Sequence, residues 1–328
     1  MRLGAALASG AGFLALFVTH CVGDTSSVPD SGGGDATSDV ASNDVSNDTG
    51  PTTDAGGDAD AATSGKHAYV TSFTGALYVY DMPLSAASVP SVILKANFNN
   101  PSDAEIVPGG LQLLVVDGAA KKISIFDLPI TQGSVAKTTI TIDFDAIDGA
   151  FDSAGNFWVG GFGNKVEKFS QPFSNGSTPS QTLTLPTSDA FGLAIQPPND
   201  LMFIGTAGHV YGYFPPDASA PTPAVDNTNT AAPTGIALNN GVFVSNFSSG
   251  IVQLYAAPFN SNESPSSIGG SLLAQPTRLK FSGNGSLNVA DAQKGIVVLA
   301  PPQFTSGFVV APNPDAGIGN MRGITFGP

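Results

Sequence analysis

The chain has 328 residues, is 41% hydrophobic and only 12% charged, and carries 39 glycines and 25 prolines with a formal charge of −14. That composition belongs to a turn-rich, β-leaning protein. The charge balance excludes nucleic acid as a partner, because a phosphate backbone needs clustered Lys and Arg.

Residues 1–21, MRLGAALASGAGFLALFVTHC, hold one Arg, a glycine-interrupted apolar run and the one cysteine of the chain, Cys21. The segment reads as a secretion signal, too short for a transmembrane helix. The placement of Cys21 resembles the lipobox of bacterial lipoproteins, where the cysteine sulfur takes a diacylglycerol and becomes the new N-terminus. Val18 and Thr19 conform to that pattern, and His20 stands where it prefers a small residue. The resemblance implies lipid attachment at Cys21 and an exported protein of the bacterial outer membrane or cell surface. A plain cleaved signal would give a periplasmic or secreted soluble protein instead. Residues 22–65 are mostly Asp, Ser, Gly, Thr, Ala and Asn, with nine aspartates, a few valines and prolines, no Lys or Arg and no aromatic residue. Such a stretch cannot bury a core and reads as a disordered tether. As a flexible coil it spans about 35 to 40 Å, and the lipid anchor is then the chain's single link to a membrane. Asp54, Asp58 and Asp60 lack the closing Glu of a calcium loop and read as solvated tether.

From residue 66 onward the chain is predicted to fold as one unit. Ala146 to Pro172, AIDGAFDSAGNFWVGGFGNKVEKFSQP, reads as strand, tight turn, strand, tight turn, strand. Its apolar runs are short and rich in β-branched and aromatic residues, and Gly, Asn, Asp and Ser sit where hairpins must reverse. An apolar residue three places before a proline then recurs six times: Tyr80, Phe126, Phe169, Tyr213, Tyr255 and Leu299. The prolines, Pro83, Pro129, Pro172, Pro216, Pro258 and Pro302, are 46, 43, 44, 42 and 44 residues apart. Those intervals are the length of a four-stranded propeller blade.

The first repeat starts at its second strand, HAYVTSF, and the last residues, Arg322 to Phe326, match the first strand of the others with nothing following Pro328. The predicted architecture is therefore an all-β, six-bladed propeller over 66–328. In it the C-terminal strand is the innermost strand of a blade begun at the N-terminus, which seals the ring. Innermost strands are expected near 104–108, 148–152, 191–195, 234–238, 277–281 and 322–326. Runs such as LQLLVV and LMFI lack alternation and suit strands covered on both faces. Trp158 lies in such a run and reads as core.

The stretches AIDGAFDSAGNFWVGG, APTGIALNNGVFVSNFSSGIVQLY and SLNVADAQKGIVVL resemble the NHL, YVTN and SMP-30/gluconolactonase-like group of six-bladed propellers. The resemblance implies the architecture. It does not imply one activity, because the group holds metal-dependent lactonases, lyases and binding domains without chemistry. It also implies that the channel mouth is built from the starts of the innermost strands and the hairpins between second and third strands. Asp103, Glu105, Asp148, Asp189, Arg278 and Arg322, with Thr234 and Thr277, are the candidates there. The Glu-Gly-Pro, Asn-Gly and Pro-Asp-Gly strand starts that the resemblance implies for a metal lactonase are missing, and these charges read as pairing with one another or with channel water.

Asp143, Asp145, Asp148 and Asp152 form the densest acidic cluster of the folded region. Their spacing departs from DxDxDG and the closing carboxylate is absent, so a polar turn between blades is the reading and calcium the alternative. No other cofactor is expected. At one offset after the second strand stand Phe73, Gly118, Phe162, Ala207, Phe247 and Ala292, so phenylalanine alternates with a small residue. Tucked between blades, Phe73, Phe162 and Phe247 are packing, which is the preferred reading; projecting into solvent, they form an aromatic collar suited to a sugar or peptide. Phosphate-loop, nucleophile-elbow and HExxH signatures are absent, and His209 reads as a surface residue. The expectation is a cell-envelope binding or scaffold propeller that recognises a protein or glycan without catalysis. The alternative is a metal-dependent lactonase or hydrolase of the gluconolactonase-like group.

Overall fold

The computed structural model describes residues 66–95, 98–186, 189–213, 222–230, 232–311 and 320–328. Cys21, the signal, the tether and Pro216 lie outside them. Among the described residues the strands form six four-stranded antiparallel sheets. Each innermost strand lies against the innermost strand of the next blade, and the sixth lies against the first, so the sheets make a ring. The protein is a six-bladed β-propeller. Blade one is composite: Met321–Gly327 is its innermost strand, followed outward by His67–Ser72, Ala76–Asp81 and Val92–Leu94. Blades two to six begin with innermost strands Pro101–Ile106, Ala146–Phe151, Gly192–Gln196, Pro233–Leu238 and Pro276–Phe281.

The closing pair is antiparallel, with His67 opposite Gly327, Tyr69 opposite Thr325 and Ser72 opposite Met321. Tyr69 adds a side-chain anchor, its hydroxyl donating to the Pro328 carbonyl at 2.8 Å. Six apolar clusters fill the ring, each drawn from two neighbouring blades. Val70, Tyr78 and Ile324 meet Ile296 and Val310 between blades one and six. Trp158 and Val166 meet Ile204 and Tyr211 between blades three and four. This two-sided cover explains the unalternated apolar strands. Each fully buried large side chain contributes roughly 1.5 to 3 kcal/mol. Trp158 is 1% exposed. The six landmark residues before the prolines are all buried at the ends of third strands. Five of the six landmark prolines, Pro216 aside, follow cis peptide bonds.

Five of the six innermost strands carry an irregularity in the same place. Their register slips by a residue between Pro101 and Asp103, Ala146 and Asp148, Pro233 and Gly235, and Pro276 and Arg278, and opposite Val70 to Ser72 in blade one. In three blades the bulged residue is a hydroxyl that bonds to the next blade. Ser102 donates to Ala146 O at 3.1 Å, Thr234 to Pro276 O at 2.9 Å and Thr277 to Met321 O at 3.1 Å. A bulge re-aims the residues after it. Here those residues enter the bore.

Truncation of the chain before Met321 removes the strand that covers the inner edge of His67–Ser72. The shortened protein should lose its single cooperative thermal transition and aggregate, as read by circular dichroism and size-exclusion chromatography. A monomer that melts as sharply as the full chain would refute the closure.

Candidate binding site in the channel

The strand registers bring Asp103, Asp148, Gly192, Gly235, Arg278 and Gly323 to one level of the bore, from blades two, three, four, five, six and one. The glycines let the strands converge. A Cβ on Gly235 would lie 2.5 Å from Thr277 O, and one on Gly323 would lie 2.7 Å from Asp103 Cα. What bore remains is filled by Arg278, which is 5% exposed. Its guanidinium crosses from blade six to blade three, on the opposite side of the ring. Nε lies 3.0 Å from Asp148 Oδ1 and a terminal N–H donates to Ile147 O at 2.6 Å. The other terminal nitrogen donates to the carbonyls of Thr234 and Thr277. Asp148 in turn accepts from the backbone N–H of Leu193 at 2.7 Å and of Gly149 at 3.1 Å.

Asp103 is 3% exposed and accepts from the Gly149 N–H at 3.2 Å. Burial, with Asp148 and Glu105 close by, pushes its carboxyl well above the ordinary carboxylate range. Asp148 is also raised by burial, with the Arg278 charge opposing. The arrangement is one guanidinium facing two buried carboxyls that disfavour each other's charged form. A divalent cation seated on Asp103 and Asp148 would meet that guanidinium, so this donor set does not fit one. Among the described residues there is no group of three or more His, Cys, Asp or Glu side chains placed to hold a metal ion.

Two residues further along each strand the bore widens. Its ring is Glu105, Ala150, Ala194, Ala237, Lys280 and Thr325. Lys280 pairs with Glu105 at 3.0 Å across blade one, and Thr325 donates to the same carboxylate at 3.4 Å. The wall is thus polar on blades six, one and two and lined by alanine on blades three, four and five. Above it lies a cavity of about 930 Å³ whose rim includes Val107, Pro108, Phe151, Pro198, Leu238 and Phe281. It opens among the loops that follow the innermost strands. The expected mouth, at the strand starts, is the opposite end. The reason is Arg278, which closes the bore at that level.

The sequence candidates therefore divide. Asp103, Glu105, Asp148 and Arg278 come together at the cavity floor and wall. Asp189 does not, and accepts the Gly163 N–H at 2.9 Å on the hairpin of blade three. Asp143 and Asp145 are exposed and engaged by Lys165 and Lys121, while Asp148 of the same run is buried in the bore. Asp152 leaves the run too. It accepts from the Trp158 indole N–H at 3.2 Å and pairs with Lys168 at 3.0 Å. Arg322 stands at the hairpin end with its guanidinium carbon 3.2 Å from the centre of the Phe73 ring. Burial and the Arg278 charge lower its pKa to about 9. Phe73 and Phe162 are 38% and 49% exposed, against the packing expected of them, and Phe247 is half-buried. Sequence reasoning missed Lys280. Its position two residues after Arg278 would have placed it on the same face of the strand.

The fold and bore together define a six-bladed propeller with a plugged channel and a one-sided cavity. No protein-family profile matches the chain, and no curated protein does. Among solved structures the chain is similar to a functionally unknown protein from Desulfotomaculum acetoxidans DSM 771. The TM-score is 0.52 at 13% identity, covering 75% of this chain and 78% of that one. That likeness shows the fold alone.

Two outcomes follow from the plug. Arg278→Met leaves Asp148 buried without its cation, and chemical denaturation at pH 7 should show a loss of about 3 to 5 kcal/mol. A loss below about 1 kcal/mol would mean that water replaces the ion pair at little cost. Asp103 keeps its proton to higher pH folded than unfolded. Its stabilising contribution is therefore full below the unfolded carboxylate value of about 3.9 and is lost as pH rises through the raised folded value. Asp103→Asn should flatten that falling limb in urea melts taken across pH and be at least as stable as wild type at pH 8. An unchanged slope would place the proton elsewhere.

Proposed function

We propose that the protein is an exported binding propeller, held by a lipid on Cys21, that takes a glycan or protein partner into the wide end of its channel without chemistry on it. The observation that carries this reading is the saturation of the bore's charges. Arg278 and Lys280 answer Asp148 and Glu105, and Asp103 is buried beside Asp148. A general base or a metal cradle needs a carboxylate free to act, and these are spent on one another. The volume suits a small ligand or the end of a chain.

The division of the wall into an alanine half and a Glu–Lys–Thr half favours the glycan. A pyranose presents an apolar face and an edge of hydroxyls, and the two halves match them. A protein partner would insert a loop into the same cavity. The lactonase alternative requires a divalent metal at the channel, and Arg278 stands where it would bind.

The full chain should bind members of an oligosaccharide panel in the presence of a chelator, and Ala194→Leu, which fills the alanine wall, should weaken that binding at least tenfold. Turnover of sugar lactones that depends on added calcium or zinc would reverse the assignment.

A further inference from the structure

The hairpin end of the channel holds a cation that the wide-end reading does not use. Arg322 is the bulged residue of its strand, the place where Ser102, Thr234 and Thr277 staple one blade to the next. An arginine is too long for that staple and turns over the Phe73 ring instead. Its Nε is buried without a hydrogen-bond partner, and among the described residues no carboxylate pairs with it. Every other arginine or lysine of the bore has an acid: Arg278 has Asp148 and Lys280 has Glu105. Leaving a desolvated guanidinium unanswered costs free energy, all the more with a second arginine close enough to lower its pKa.

The surroundings say what would answer it. Phe73 covers one face of the guanidinium, so its terminal N–H groups remain for a two-oxygen acceptor. Phe162 is 49% exposed on the same end and meets Phe191 edge to face at 5.9 Å. Phe247, half-buried, takes the same hairpin position two blades on. At the same end Asp117 and Asp291 are buried caps of hairpin and blade-connecting N–H groups, and Asp189 caps a third hairpin. The buried acids of this end suit a monoanion and disfavour a dianion.

We propose that the hairpin end is a receptor for a carboxylate borne on an apolar body, with Arg322 as its cation, Phe73 as the plate that orients Arg322, and Phe162 and Phe247 as the apolar rim. This site is separate from the wide-end cavity, because Arg278 closes the bore between them.

The test uses the full chain and small probes in calorimetry and saturation-transfer NMR. Phenylacetate should bind, and its uncharged analogue phenylacetamide should bind at least tenfold more weakly. N-acetylphenylalanine and glucuronate, as peptide-type and sugar-acid carboxylates, distinguish the source of the ligand by which binds more tightly. Arg322→Gln should lose phenylacetate binding at least tenfold, and Phe73→Leu several-fold. Ala194→Leu, at the other end, should leave it unchanged, so failure of the wide-end reading would not touch this result. Equal binding of acid and amide to the unaltered chain, full binding by Arg322→Gln, or tighter binding of inorganic phosphate than of any carboxylate would each overturn the assignment.

Discussion

Pairing of the C-terminal strand with the first strand of the folded region is the constraint on which the rest of this propeller depends. A sheet edge left open exposes unpaired N–H and C=O groups, and the closing pair removes that edge from blade one. Its consequences reach the bore. Gly323 can sit against Asp103 Cα only if its strand is held in the ring, and Arg322 is delivered to the hairpin end by the same register. Propagated around six blades, the closure fixes a bore too narrow at one level for more than a single long side chain.

That level sets the chemistry of the channel. Three glycines bring the strands together, and the bulges before them rotate Asp103, Asp148 and Arg278 inward. A guanidinium in such a place must be paired, and the protein pairs it across the full width of the ring. The result is a plug with four bonding partners: the Asp148 carboxylate and three backbone carbonyls. Two residues along each strand Ala150, Ala194 and Ala237 line half the ring, no side chain among the described residues crosses it as Arg278 does, and the bore opens into a cavity. The single-sided site is a consequence of side-chain size along alternate strand positions.

Repeat, blade count and offset closure were legible in the chain because they rest on local signals. Turn residues tolerate positive φ, as Gly75, Gly155 and Asn164 do here, and buried aromatic or aliphatic residues close each third strand. The hairpin phenylalanines were legible as a pattern and not as a surface, since exposure depends on what the neighbouring blade presents. Lys280 was missed, although strand alternation from Arg278 puts it on the same face. Asp152 was misleading in sequence, standing beside Asp148 in one acidic run while folding onto Trp158 and Lys168.

The amino-acid sequence by itself determined an all-β ring of six like units sealed by its own tail, because spacing, turn chemistry and apolar runs act over a few residues at a time. Only the tertiary structure decided which end of the channel opens, which charges meet and which one is left over. Arg278 and Ile147 are 131 residues apart and face each other because a half-turn of the ring lies between them. The bulges that aim Asp103, Asp148 and Arg278 inward are departures from strand register, which an alternating pattern does not reveal.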